Sequence, residues 1–130
     1  MNGDATKASV LCVDDNLHVA EAVRLRLARE ELFAWSGWLP AADKLVETVE
    51  RDHPSFVLLD LDLPGRDPLQ TTADLTERHP EVRVIVFSGL VRPELIERAF
   101  DAGAWGYVSK NDGEGELVSA MRKVQGGDIA

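Results

Sequence analysis

The chain has a single cysteine, Cys12, which excludes an internal disulfide and a cysteine-based metal site. Basic residues are scarce: Lys and Arg number 14 against 23 Asp and Glu, the net charge is -9, and no run of cations forms a stripe. That balance argues against direct nucleic-acid binding by this domain. Nothing approaches the ~18 consecutive apolar residues of a membrane span, and the opening residues MNGDATKAS carry no apolar signal region. A soluble, cytoplasmic protein with no membrane contact is the expectation. Gly/Ser-rich linkers and low-complexity tracts are also missing. With 130 residues, 45% of them apolar, the chain can fill one ordinary core and is too short for two comfortable domains.

What is present is an alternation. SVLCV (9–13) reads as a first strand, in which Cys12 is a small buried hydrophobe. From Asn16 to about Arg29, Val19, Val23 and Leu27 recur every fourth residue, the spacing of one buried helix face. FAWSGW (33–38) follows as an edge strand whose Trp35 and Trp38 are expected to be buried. A helix carrying Leu45, Val46 and Val49 ends at DHP, and FVLLD begins a third strand; RHP punctuates in the same way before VRVIVFS, the fourth. Proline forbids helix continuation, and His53 and His79 are placed in the last helical turns, suited to the dipole and structural in role. Between these strands DPLQTTADLTER reads as the weakest helix, with Leu69 and Leu75 as its firm anchors. Pro93 suits a first helical position ahead of a core face of Leu95, Ile96, Ala99 and Phe100. GAWGYVSK supplies a short fifth strand, and a last helix with Leu117, Met121 and Val124 stops at Gly126–Gly127. Five strands alternating with five helices predict an α/β fold with a parallel sheet covered on both sides.

The stretch FVLLDLDLPG (56–65) runs four apolar residues straight into two aspartates, where a buried strand leaves the core. In open α/β sheets the carboxyl ends of strands are where ligands bind. Asp14 and Asp15 end the first strand, Asp60 the third, Ser88 the fourth and Lys110 the fifth, and in a parallel sheet all these ends share one edge. Two carboxylates about 4 Å apart repel by roughly 4 kcal/mol at an effective dielectric near ~20. A hard divalent cation such as Mg²⁺ resolves the repulsion with oxygen ligands, and a hydroxyl and an ammonium opposite it make a cradle for a phosphoryl group.

These residues resemble the receiver domains of two-component response regulators. The resemblance rests on VDDN, LLDLDLPG, VIVFSG and YVSK in that order, and covers about residues 8–126. It implies a three-layer, doubly wound (βα)5 flavodoxin-like fold with strand order 2-1-3-4-5. It also implies a flexible N-terminus over 1–7, a receiver domain over 8–126, and a C-terminal tail or start of a linker over 127–130. By the same resemblance Asp60 is the phosphoacceptor, taking its phosphoryl group from a sensor histidine kinase or phosphotransfer protein. Asp15 binds Mg²⁺ (or Mn²⁺) directly and Asp14 largely through water, with Asp60 and the Asp62 backbone carbonyl as further ligands. Lys110 and Ser88 contact phosphoryl oxygens, the backbone N–H groups of Leu61 and Gly89 assist, and Tyr107 is the switch aromatic. Such a domain is a signalling phosphoacceptor, catalysing only its own phosphorylation and dephosphorylation, and self-association on phosphorylation goes with the resemblance.

Rival readings remain open at this point. Asp14 and Asp15 alone could cap the following helix, and Tyr107 could be plain core packing. The DLD stretch also resembles haloacid-dehalogenase-like phosphatases, with Asp60 as nucleophile and Asp62 as general acid, although there the motif lies on the first core strand. A third reading is a pseudo-receiver scaffold that takes no phosphate. Two departures from the receiver pattern stand out. Pro68 follows Asp67 at the entry to the third helix, and Asn111 follows Lys110 where a cis proline is common, so a trans bond is expected there. The ending MRKVQGGDIA resembles receivers that precede a LuxR-type helix-turn-helix domain. On that reading the chain is a stand-alone receiver or a piece cut from a longer regulator.

Overall fold

The computed structural model describes residues 7–130. The segment expected to be flexible, 1–7, lies outside the described residues except for Lys7. Strands and helices alternate as β1 (Ala8–Val13), α1 (Leu17–Leu27), β2 (Phe33–Leu39), α2 (Leu45–Asp52), β3 (Phe56–Leu59), α3 (Pro68–Arg78), β4 (Arg83–Ser88), α4 (Pro93–Asp101), β5 (Gly106–Ser109) and α5 (Gly113–Gln125). Short 3-10 turns at Ala42–Lys44 and Lys110–Asp112 lead into α2 and α5. The five strands form one parallel sheet in the order β2-β1-β3-β4-β5, as the resemblance implies.

Apolar pattern explains which face each helix covers. Val10, Leu58, Ile85 and Phe87 point to one side of the sheet, where Val23 and Leu27 of α1 and Leu117, Met121 and Val124 of α5 close over them. Leu11, Val13, Val57 and Leu59 point to the other, under Leu45 and Val49 of α2 and Leu75 of α3. Because both faces are covered, β3 is buried at every position, which is why its sequence is a continuous apolar run instead of an alternation. Helix starts are set locally. Asn16 Oδ1 accepts from His18 N (2.9 Å), and the Asp67 carboxylate accepts from Leu69 N (3.0 Å) with Pro68 in the first turn, where no N–H is needed.

Four expectations need correction. His53 and His79 lie one residue beyond their helices: His53 takes a left-handed conformation (φ 49°), and His79 Nε2 is 3.0 Å from Glu50 Oε2, tying the ends of α3 and α2 together. α3 is better anchored than its two leucines suggest. Thr71 and Thr72 are fully buried, and each hydroxyl donates to the carbonyl four residues back (2.9 Å), so neither carries an unpaired polar atom into the core. α4 buries Ala99 alone; Leu95, Ile96 and Phe100 remain half-buried because the small Ala99 makes the close approach and the larger side chains flank it. Trp38 is 36% exposed and Trp35 half-buried, for a reason of register given below. The Lys110–Asn111 bond is trans. At the end of the chain Ala130 N donates to Trp105 O (2.8 Å).

Gly103 makes the turn between α4 and β5 at φ 105°, and a Cβ there would lie 2.1 Å from Thr76 Oγ1. That hydroxyl is 2.8 Å from the Ala102 carbonyl and 2.9 Å from that of Thr72, so it joins α3 to the end of α4. Gly103→Ala combines backbone strain with a steric clash and is expected to lower stability by about 2–4 kcal/mol. Urea denaturation against the parent measures it, and an unchanged midpoint would contradict the packing described.

Candidate functional site

Parallel strands deliver their carboxyl ends to one edge, and here the polar residues gather. Asp14 follows directly on β1 and its N–H donates to Leu39 O (3.0 Å); Asp60 follows directly on β3 and its N–H donates to Val13 O (3.0 Å). Since β1 and β3 are neighbours, the two carboxylates lie side by side, 2% and 4% exposed respectively. Lys110, at the end of β5, reaches across β4 between them: its Nζ is 2.7 Å from Asp14 Oδ2 and 3.0 Å from Asp60 Oδ2. Asp15 is exposed, yet its carboxylate, with those of Asp14 and Asp60, offers oxygens that all lie within 4.8 Å of one another. The donor set is three hard carboxylate oxygens at one solvent-facing edge, which fits Mg²⁺ or Mn²⁺.

The remaining expected residues are placed as follows. Asp62 carries its carboxylate outward and donates its N–H to Asp60 Oδ1 (3.3 Å). Ser88 is fully buried at the end of β4, and its Oγ accepts from Leu90 N (3.1 Å). The carbonyl of the same Leu90 accepts from the Tyr107 hydroxyl, so Ser88 and Tyr107 are joined through one residue. Tyr107 lies opposite Val86 in the sheet and packs half-buried against the cluster of Leu69, Val86, Ala99 and Ala104. Leu61 is half-buried, and Gly89 is exposed with open space around its Cα.

Two contacts at the site had no signal in the sequence. Trp38 Nε1 donates to the backbone carbonyl of Asp14 (2.7 Å). β1 and β2 change register between Val10 and Leu11, leaving Ser36 over, so Val10 faces Trp35 while Cys12 faces Trp38. A spacing of three puts two side chains on opposite faces of a regular strand; the extra residue returns Trp38 to the Trp35 face, beside the loop. On the other loop, Asp43 Oδ1 accepts from Arg66 N (3.0 Å). Gly65, at φ 80°, allows this approach, since a Cβ there would be 2.4 Å from the same oxygen.

Burial raises the Asp14 carboxyl above the ordinary aspartate range, against the opposing pull of Lys110 and the Asn16 N–H, which lies 2.8 Å from Oδ1. For Lys110, burial alone would lower the ammonium, but its bonds to Asp14 and Asp60 outweigh that and raise it. A buried Cys12 thiol behind the site is pushed up to about 12 and stays protonated. For a raised carboxyl the native state holds its proton longer than the unfolded chain, so stability falls as pH rises from the ordinary value of 3.8 through the folded one. Lys110 contributes in the other range: its stabilisation is fully present below 10.5 and is lost as pH climbs through the raised value. Asp14→Asn keeps the acceptor for Asn16 and removes the buried charge. In EDTA it should be more stable than the parent at pH 7, with the gap closing as pH falls toward ~4. Urea midpoints measured across that range check the sign.

Comparison with known proteins follows the same lines. The family model for the response regulator receiver domain matches residues 10–122. The transcriptional activator protein ExaE of Pseudomonas putida is 36% identical over 87 residues, covering 67% of this chain and 41% of that protein. The transcriptional regulatory protein DegU of Brevibacillus brevis is 30% identical over 122 residues, covering 93% and 52%. The chain therefore spans about half the length of such relatives. Among solved structures, a LuxR-family two-component response regulator from Aurantimonas sp. SI85-9A1 superposes with a TM-score of 0.89 at 28% identity, covering 95% of this chain and 89% of that one. The phosphatase and pseudo-receiver readings draw no support from these matches, and the exposed Asp62 carboxylate lies outside the acidic cluster. Sheet order, converging acids and family model agree that the chain belongs to the response regulator receiver domain family.

Proposed function

We propose that Asp60 is the phosphoacceptor of this receiver and that the Asp14–Asp15–Asp60 cluster, with the Asp62 backbone carbonyl, holds the Mg²⁺ its chemistry needs. The observation that carries the reading is the Lys110 ammonium lying between two buried carboxylates. It marks the point where an extra negative charge can be received. Bound magnesium supplies charge neutralisation for the carboxylates and for the phosphoryl oxygens. The rest falls to the chain. Lys110 orients the Asp60 carboxylate, which attacks the phosphorus of a phosphohistidine on a sensor kinase or phosphotransfer protein. A P–O bond to Asp60 forms as the P–N bond breaks, and the departing imidazole takes a proton from water. Lys110 then exchanges a carboxylate oxygen for a phosphoryl oxygen, and the N–H groups of Leu61 and Gly89 meet the others. Hydrolysis by water reverses the modification, so the domain turns over only its own phosphoryl group.

The switch follows from the link through Leu90. Ser88 Oγ accepts from Leu90 N, so a hydroxyl that turns to the phosphoryl group releases that N–H and moves the carbonyl holding Tyr107. Moving a two-state domain from 1:99 to 99:1 takes about 5.5 kcal/mol of differential binding. Hydrogen bonds to charged groups contribute roughly 1.5–3 kcal/mol each, so Ser88 and Lys110 together can supply most of it. α4, with one buried residue, is the element placed to respond. The donor is placed at the groove of about 200 Å³ between α1 and α5, beside Lys110, lined by His18, Phe87 and Glu114. Output through a LuxR-type DNA-binding domain, self-association on phosphorylation and a cytoplasmic location belong to the same proposal. No described helix is long and apolar enough to cross a membrane.

Asp60→Asn keeps the shape and loses the nucleophile, so incorporation from acetyl phosphate with Mg²⁺ should fall to background while the fold persists. A phosphoryl adduct on that variant, seen by mass spectrometry, would sink the assignment. Ser88→Ala should still be phosphorylated but should transmit less. Its NMR shift changes on adding Mg²⁺ and beryllofluoride, a phosphoryl stand-in on Asp60, are expected to be reduced across residues 89–110. Changes equal to the parent's would remove the hydroxyl from the coupling path.

A further inference from the structure

The phosphoacceptor reading assigns nothing to Trp38, yet its indole bonds the loop that carries two of the three acids. That loop is short: β1 ends at Val13 and α1 begins at Leu17. Asp14 is held at every other polar group, with its N–H on Leu39 O, Oδ1 on Asn16 N and Oδ2 on Lys110 Nζ. Its carbonyl is the remaining group, and Trp38 Nε1 takes it at 2.7 Å. That carbonyl belongs to the Asp14–Asp15 peptide, a rigid plane, so fixing the oxygen fixes the direction in which Asp15 leaves it. Among the described residues no hydrogen bond or ion pair holds the Asp15 carboxylate, which makes the peptide plane its main constraint.

We propose that Trp38 is a positioning residue of the acidic site: by holding the Asp14 carbonyl, its indole N–H sets the plane from which the Asp15 carboxylate projects and so strengthens divalent-cation binding. The inference rests on the reading of this cluster as the Mg²⁺ site. The neighbouring segment secures the second acidic loop in the same way, through Asp43 and Arg66 N. Both loops are thus tied from the β2 flank of the sheet. Trp38 can serve because the register change at Ser36 brings it to the loop, and because a 36% exposed ring on an edge strand is not needed to fill the core. Groups orienting metal ligands from behind commonly govern affinity. A backbone carbonyl one peptide removed from the ligand is a milder case than a direct second partner.

The test is a Mg²⁺ titration of the unphosphorylated full chain, followed by ¹⁵N–¹H NMR, for the parent, Trp38→Phe and Trp35→Phe. Trp38→Phe keeps the apolar ring and loses the donor, and should bind Mg²⁺ roughly three- to tenfold more weakly, the worth of one hydrogen bond. Trp35→Phe changes the same strand without touching the loop and should bind as the parent does. In the parent, the indole N–H resonance missing from the Trp38→Phe spectrum should shift with Mg²⁺ in step with the Asp15 amide. A Trp38→Phe affinity within twofold of the parent overturns the proposal, and so does equal weakening by both variants. If Trp38→Phe fails to fold, the parent's indole resonance, assigned by its proximity to the Asp14 and Asp15 amides, decides: a resonance unmoved at saturating Mg²⁺ overturns it. A parent with no saturable Mg²⁺ response overturns the metal-site reading, and this inference with it, whereas a parent that binds normally confines any failure to Trp38.

Discussion

Asp14 and Asp60 are buried side by side as like charges, and the Lys110 ammonium between them makes that arrangement tolerable. A lone buried carboxylate is costly and two are worse, so the pair needs a cation of fixed position. Much of the fold can be read as the solution to that requirement. β1 and β3 must be adjacent to bring the acids together, and β5 must end within a lysine stem's reach of them across β4. The register runs from Leu59 through Val86 to Tyr107, so β5 continues two residues past the end of β3 and Lys110 leaves it just beyond the level of Asp60, from where its stem reaches back to the acids. A slip of one residue in β5 would turn its side chains to the wrong faces and carry Lys110 away from its partners.

From this centre the constraints pass outward along short covalent and hydrogen-bonded paths. Ser88 is one strand from Asp60, and through Leu90 it is tied to the Tyr107 hydroxyl. Tyr107 packs into the small cluster of Leu69, Val86, Ala99 and Ala104, the least extensive part of the core and the part that seats α4. Elements held by few buried contacts open most readily. The side proposed to carry the switch therefore coincides with the smallest core cluster, while the α1–α5 face and the α2–α3 face hold the larger ones. Polar groups in these cores are matched internally, as with Thr71 and Thr72 on α3, and no buried side-chain polar atom among the described residues lacks a partner.

The α/β class, the strand and helix order and the convergence of Asp14, Asp15, Asp60, Ser88 and Lys110 on one edge were all legible in the amino-acid sequence. The reason is that each is a local signal. Apolar runs ending in Asp or Lys mark strand ends, proline and glycine mark helix boundaries, and a parallel sheet brings all carboxyl ends to the same side. What local signals cannot carry is how far one element penetrates another. The face of α4 is buried less deeply than expected, and α3 is seated more firmly, because burial depends on the partner surface. Ala99 makes the close contact on α4, and two threonines that look polar hide their hydroxyls on their own helix.

Tertiary structure alone decided the contacts that shape the site from outside the motifs. Trp38 looks like a core residue of an edge strand until a single extra residue, Ser36, shifts the β1–β2 register and turns its indole onto the Asp14 carbonyl. Asp43 looks like an ordinary residue of a helix entrance until Gly65, at a positive φ, lets the loop beyond Asp60 close on it. Both depend on the relative placement of strands far apart in sequence, which is set by the packing of the whole sheet. The identity of the acids, hydroxyl and lysine was written in the chain, and their fixing in space by neighbours was not.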